Sequence, residues 1–114
     1  MERSSSAPAY DPGIVADLEA CFGRARLRDL LGLLRAEIAA RFVASPAERE
    51  TLERDAHVLV SASGMLGFLD LSRACAELGR ACRDGVDLSP ALDLAGQAAR
   101  VARETIDGML AEPA

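Results

Sequence analysis

The sequence contains no tryptophan and no lysine, and aromatic residues make up only 4% of its 114 positions. A core without large rings has to be built from aliphatic side chains, which here are chiefly leucine and alanine. Both are strong helix formers, whereas the β-branched and aromatic residues that favour strands are scarce. The shortage points to an all-α fold of one domain.

The other shortages are equally restrictive. All 13 basic residues are arginines, outnumbered by 18 acidic ones to a net charge of −5, and they are scattered rather than gathered into a stripe. That pattern lacks the electrostatic footprint of a nucleic-acid binder. No apolar run approaches the ~18 residues of a membrane span. The polar start, with Ser4, Ser5, Ser6, Pro8 and Pro12, has no apolar stretch of the signal-peptide kind. A cytoplasmic protein without nucleic-acid or membrane partners is expected, and Met1 is read as a natural start. Cys21, Cys75 and Cys82 are odd in number and lack metal-ligand spacing, so they read as reduced thiols in the core, with no metal site.

What is present is helical periodicity. Residues 1–12 read as a loosely ordered tail and 13–111 as a helical bundle. Ile14, Leu18, Cys21 and Phe22 mark a short first helix, which Gly23 interrupts. Leu27, Leu30, Leu31, Leu34, Ile38 and Phe42 mark a long second one. Ser45-Pro46-Ala47-Glu48 reads as a capping box opening the third, with Ser45 as N-cap and Pro46 in the first helical position. Leu52, Ala56, Leu59, Ser63 and Leu66 form its apolar stripe. Leu71, Cys75, Leu78 and Cys82 repeat the pattern in a fourth helix, ended by Gly85. Ser89-Pro90 opens an alanine-rich fifth through Leu94, Ala98, Val101 and Ile106. Short connections favour antiparallel neighbours, so the last four helices are expected to form an up-down bundle with the first against one end. Leu59, Leu66, Leu71, Leu78 and Val101 should be buried.

His57 is the only histidine. A lone histidine on a helix is most often a filler, but its direction is informative here. At about 100° per residue it lies about 140° from the centre of the Leu52–Leu66 stripe and should face outward. Ser61 and Gly64, one and two turns later, are small and leave the imidazole open to a partner. Glu53, one turn earlier, could orient a ring nitrogen. Imidazole titrates near ~6.5 when unperturbed, so it can offer an unprotonated nitrogen at neutral pH. Such a nitrogen can form a covalent phosphoryl intermediate. Phosphoryl transfer asks mainly for positioning and charge neutralisation, which a partner carrying Mg²⁺ can supply.

The segment from Ala56 to Gly67 resembles the motif of the histidine-containing phosphotransfer (HPt) domains, commonly A-H-x-L-K-G-x-[AS]-x-x-[LI]-G, matching at Ala56, His57, Leu59, Ser63, Leu66 and Gly67. The similarity continues through Leu71, Cys75, Leu78 and Ala81. The resemblance implies a small stand-alone phosphorelay carrier. His57 would accept a phosphoryl group from a receiver-domain aspartate and pass it to another receiver, in response regulators or hybrid histidine kinases. It further implies no autonomous kinase activity, no bound cofactor, Mg²⁺ on the receiver, and a monomer whose largely apolar docking face includes Val58, Val60 and Met65. Two positions depart from the motif. Val60 stands where the family has lysine, and Ser61 where it has glycine. The first departure keeps open an alternative, a non-phosphorylated helical module that only binds signalling partners. The dimerisation segment of sensor kinases, H-[ED]-x-x-[TN]-P, fits less well, because Val58 follows His57 and Ala62 stands in place of proline.

Overall fold

In a computed structural model describing residues 9–41 and 48–112, the chain forms five helices. These are α1 (Pro12–Phe22), α2 (Arg24–Ala40), α3 (Arg49–Met65), α4 (Leu69–Asp84) and α5 (Ser89–Ala111), with no strand among the described residues. No helix there is long and apolar enough to cross a membrane. α2 packs on α3, α3 on α4, α4 on α5, and α5 back on α2, while α1 lies against α2. The ring closes because each helix carries an apolar stripe too wide to be covered by one neighbour.

Polar contacts fix the directions of the helices. Arg28 near the start of α2 donates to the carbonyls of Met109, Leu110 and Glu112 at the end of α5, and Arg35, two turns on, pairs with Asp107. The two helices are therefore antiparallel, and the guanidinium of Arg28 satisfies carbonyls that a helix end leaves without partners. The hydrogen bond from Arg35 holds the Asp107 carboxyl below the usual carboxylate range. Arg41, just past α2, bridges Glu37 and the buried Asp55 of α3.

Three connections set the register of the bundle. Gly23 separates α1 from α2, and Gly85 ends α4 in the left-handed conformation expected of a helix-terminating glycine. Between α3 and α4 only Leu66, Gly67 and Phe68 intervene. Gly67 has φ +85°, and a Cβ there would lie 3.2 Å from both the Asp11 carbonyl and the Ile14 side chain. Its own carbonyl accepts from the Asp11 N–H at 2.8 Å. Only glycine combines that backbone with so close an approach, which gives the motif's final residue a structural cause.

The core follows the stripes in α2, α3 and α4. Leu59, Leu66, Leu71 and Leu78 are buried as expected, with Leu31, Leu34, Leu52, Phe68 and Ile106. Val101 is not. It is 50% exposed, and Leu94 is exposed as well, while Ala95, Ala99 and Ala102 face inward. α5 packs against both α4 and α2, and small side chains let helices approach closely. Of the expected stripe Ile106 is buried, whereas Leu94 and Val101 lie off the buried face, which runs through Ala95, Ala99, Ala102 and Ile106. Cys21 and Phe22 are exposed too, leaving Val15 as the buried residue of α1, so only Cys75 and Cys82 are core thiols. Asp11 and Tyr10 are not a loose tail. Asp11 caps α1 by accepting from the Gly13 N–H at 2.8 Å, and the Tyr10 and Phe68 rings lie 5.5 Å apart. Residues 1–8, Phe42 and the Ser45-Pro46-Ala47 part of the expected capping box lie outside the described residues. Glu48 stands before α3 as its N-cap residue rather than inside the first turn.

Candidate functional site

The motif residues divide by face. Ala56, Leu59 and Ser63 have no exposed surface, and Leu66 is buried beside them. The Ser63 hydroxyl donates to the Leu59 carbonyl within α3, which explains how a polar side chain is tolerated there. His57 points away from all of them and is exposed, as its angular position requires. Ser61, one turn on, is exposed as well. A side chain at the middle of a packed helix springs from rigid backbone, so the imidazole is accessible and its point of attachment is fixed.

Toward α4 the helices pack closely. Gly79 is buried, and a Cβ built on it would lie 4.0 Å from the Ala56 Cβ. A Cβ on Gly64 would lie 3.3 Å from the Ser72 hydroxyl, which itself donates to the Val60 carbonyl at 2.9 Å. Gly64 is therefore half-buried and spends its small size on the approach of α4, while the open space beside His57 is left by Ser61. Glu53, expected to reach the imidazole, instead accepts from Arg83 Nη1 of α4 at 3.4 Å, and among the described residues no hydrogen bond joins it to His57. His57, Glu53 and Val60 share a cleft of about 210 Å³ with Gly79, Arg80 and Arg83 of α4. Cys75 also borders it, but burial pushes that thiol up to about 12, so it stays protonated and inert.

Toward α1 and α2 the surface is different. Met65 is 73% exposed and, with Ala62, Leu18, Phe22, Leu30 and Leu33, borders an apolar groove of about 330 Å³. Of the three residues expected in one docking patch, Met65 belongs to this groove and Val58 is half-buried on the same side of α3. Val60 lies on the α4 side, half-buried against the core. Among the described residues no group of three metal-ligating side chains is assembled.

Sequence reasoning did not single out Arg80 and Arg83. They become neighbours of His57 only through the antiparallel register of α3 and α4 about Gly67. That register was within reach, because a three-residue connection places residues about equally far from it side by side. Leu33 and Phe22 were missed as exposed apolar residues because each was counted, or could be counted, toward a core stripe.

A family model for the Hpt domain matches residues 17–112. No curated protein and no solved structure matches the chain significantly. The match begins within α1 and runs through α2, α3, α4 and α5, so the exposed His57 lies inside it. The chain belongs to the Hpt domain family, the phosphocarrier modules of histidine phosphotransfer in two-component signalling.

Proposed function

We propose that His57 is the phosphoacceptor, taking a phosphoryl group from the phosphoaspartate of one receiver domain and passing it to the aspartate of another. The lone pair of an unprotonated ring nitrogen attacks phosphorus. The N–P bond forms as the P–O bond to the aspartate breaks, the electron pair leaving with the carboxylate, while the second ring nitrogen keeps its proton. The return step reverses these changes on the next receiver. Metal chemistry belongs to the receiver, which would carry Mg²⁺ beside its aspartate. Charge neutralisation and alignment then do most of the work.

The observation that carries this reading is an exposed imidazole on the middle of α3, surrounded by motif residues that all turn inward. The apolar groove bordered by Met65 suits a partner that docks beside the histidine rather than on it. The protein is expected to act as a cytoplasmic monomer, with receivers of response regulators or hybrid kinases as its partners. Sedimentation should show one chain per particle. A dimer sealing the His57 face would contradict that.

Val60 in place of lysine favours the one competing reading, a module that binds receivers without being phosphorylated. Incubation with a panel of phosphorylated receivers separates the two. The carrier reading expects label on the wild-type protein and none on His57→Gln, whose fold should be unaffected because the side chain packs on nothing in the core. Binding without label on the wild-type protein would establish the competing reading.

A further inference from the structure

The geometry points to Arg80 and Arg83 of α4 as the residues that neutralise the phosphoryl group on His57, in place of the lysine that the motif puts where Val60 stands. This rests on His57 as phosphoacceptor and adds residues from a different helix to that site.

A phosphoryl group brings about two negative charges at neutral pH, and a charge arriving beside Glu53 needs a counter-charge. The chain has no lysine anywhere, and Val60 removes the cation that α3 would have supplied. α4 compensates through its register. Ala56 and Gly79 face each other across antiparallel helices, so the turn after Gly79 runs beside the turn of α3 that holds Glu53 and ends at His57, and Arg80 and Arg83 line the same cleft as the imidazole. A Cβ on Gly79 would lie 3.4 Å from Arg83 Nη1, so the guanidinium lies back across the glycine toward α3.

Both arginines are exposed. Arg83 is held by Glu53 at 3.4 Å and Arg80 by Glu77 of its own helix, each in an exposed ion pair. Exposed pairs of this kind are weak and screened by salt. A phosphoryl group offers more charge and three acceptor oxygens, and the planar fork of arginine matches it better than an ammonium does. Exchange of Glu53 and Glu77 for the phosphoryl group needs only side-chain rotation. Arg54 is the other cation near His57 in sequence, but it sits on the opposite side of the imidazole, outside the cleft.

The test loads His57 with phosphoramidate, which uses no receiver, and follows the phosphoryl titration by phosphorus NMR. Nearby cations favour the dianion, so the titration midpoint in R80Q/R83Q should rise by roughly 0.5–1 unit relative to wild type. R80Q alone leaves the Glu53–Arg83 pair intact and should show part of the same rise, and R54Q should show none. Transfer from a phosphorylated receiver should slow about tenfold in the double variant, equivalent to ~1.4 kcal/mol. Val60→Lys added to that variant should recover much of the loss, because it restores the cation from α3. An unshifted midpoint in R80Q/R83Q, or a shift carried by R54Q, overturns the assignment. Normal arginine-dependent titration without transfer from any receiver would instead remove the carrier reading alone, and failure of His57 to load would remove both.

Discussion

The two flanks of α3 differ in what they are made of and in how they are packed. On the α4 side small residues meet along much of the helix, Ala56 against Gly79 and Gly64 against Ser72, and what remains at the surface is a narrow charged cleft. On the other side an ion pair joins Asp55 of α3 to Arg41 just past α2, and an apolar groove is bordered by Ala62 and Met65 of α3 and by Leu30 and Leu33 of α2. His57 sits on the crest between them. Close packing leaves room for a phosphoryl group but not for a protein, so the α4 flank suits chemistry. The open flank offers apolar area that gains free energy when covered, which suits recognition. Because the two tasks lie on opposite sides of one residue, they should be separable by mutation.

The largest effect expected is from His57→Gln, which leaves both flanks standing and should abolish phosphoryl label altogether. Gly67→Ala comes next, because it forces a Cβ into a left-handed backbone and against Asp11 and Ile14. It should lower stability by about 1–3 kcal/mol in denaturant titration and loosen the register that forms the charged cleft. An unchanged midpoint would show that the α3–α4 turn can relax and that the cleft does not depend on it.

Met65→Asp tests the apolar flank alone. Receiver binding should weaken about tenfold, roughly the ~1.4 kcal/mol expected from losing one apolar contact at an interface. Loading of His57 by phosphoramidate should stay as in the parent. If loading falls and binding does not, the division of labour between the flanks is wrong. Val60→Lys should have a smaller effect, a several-fold change in transfer rate at most, with greater salt sensitivity, since exposed charge pairs are typically worth ~0–1 kcal/mol. Val60 borders the cleft with two arginines already present, and a lysine there can extend to solvent along its alkyl stem. A large loss of rate with the fold intact would show that Val60 serves docking instead. The smallest effect concerns the thiols. Cys21 should alkylate readily in the native protein, whereas Cys75, pushed up to about 12 by burial, and Cys82, raised chiefly by burial, should react only on unfolding.

The helices and the outward turn of His57 were legible because α2, α3 and α4 each carry one stripe of large apolar residues. The period of such a stripe defines both its buried face and the opposite one. α5 carries two candidate stripes, and size misled. Leu94 and Val101 are larger than Ala95, Ala99 and Ala102, yet it is these alanines, followed by Ile106, that α5 buries between α4 and α2. The limit at the site has a related origin. His57, Ser61 and Met65 share one helix and could be placed by angle, but Arg80 and Arg83 enter through tertiary register. Glu53 was read along its own helix, where one turn separates it from His57, although its partner lies across the groove on Arg83. Local periodicity describes a helix face and says nothing of what the next helix brings to it.

The most direct test is to incubate the wild-type protein with a phosphorylated receiver and locate the transferred phosphoryl group by mass spectrometry under conditions that preserve N–P bonds. The account predicts a single acid-labile phosphoryl group on His57, lost again when an unphosphorylated receiver is added. A phosphoryl group on any other residue, or a wild-type protein that binds the receiver and acquires none, would contradict it.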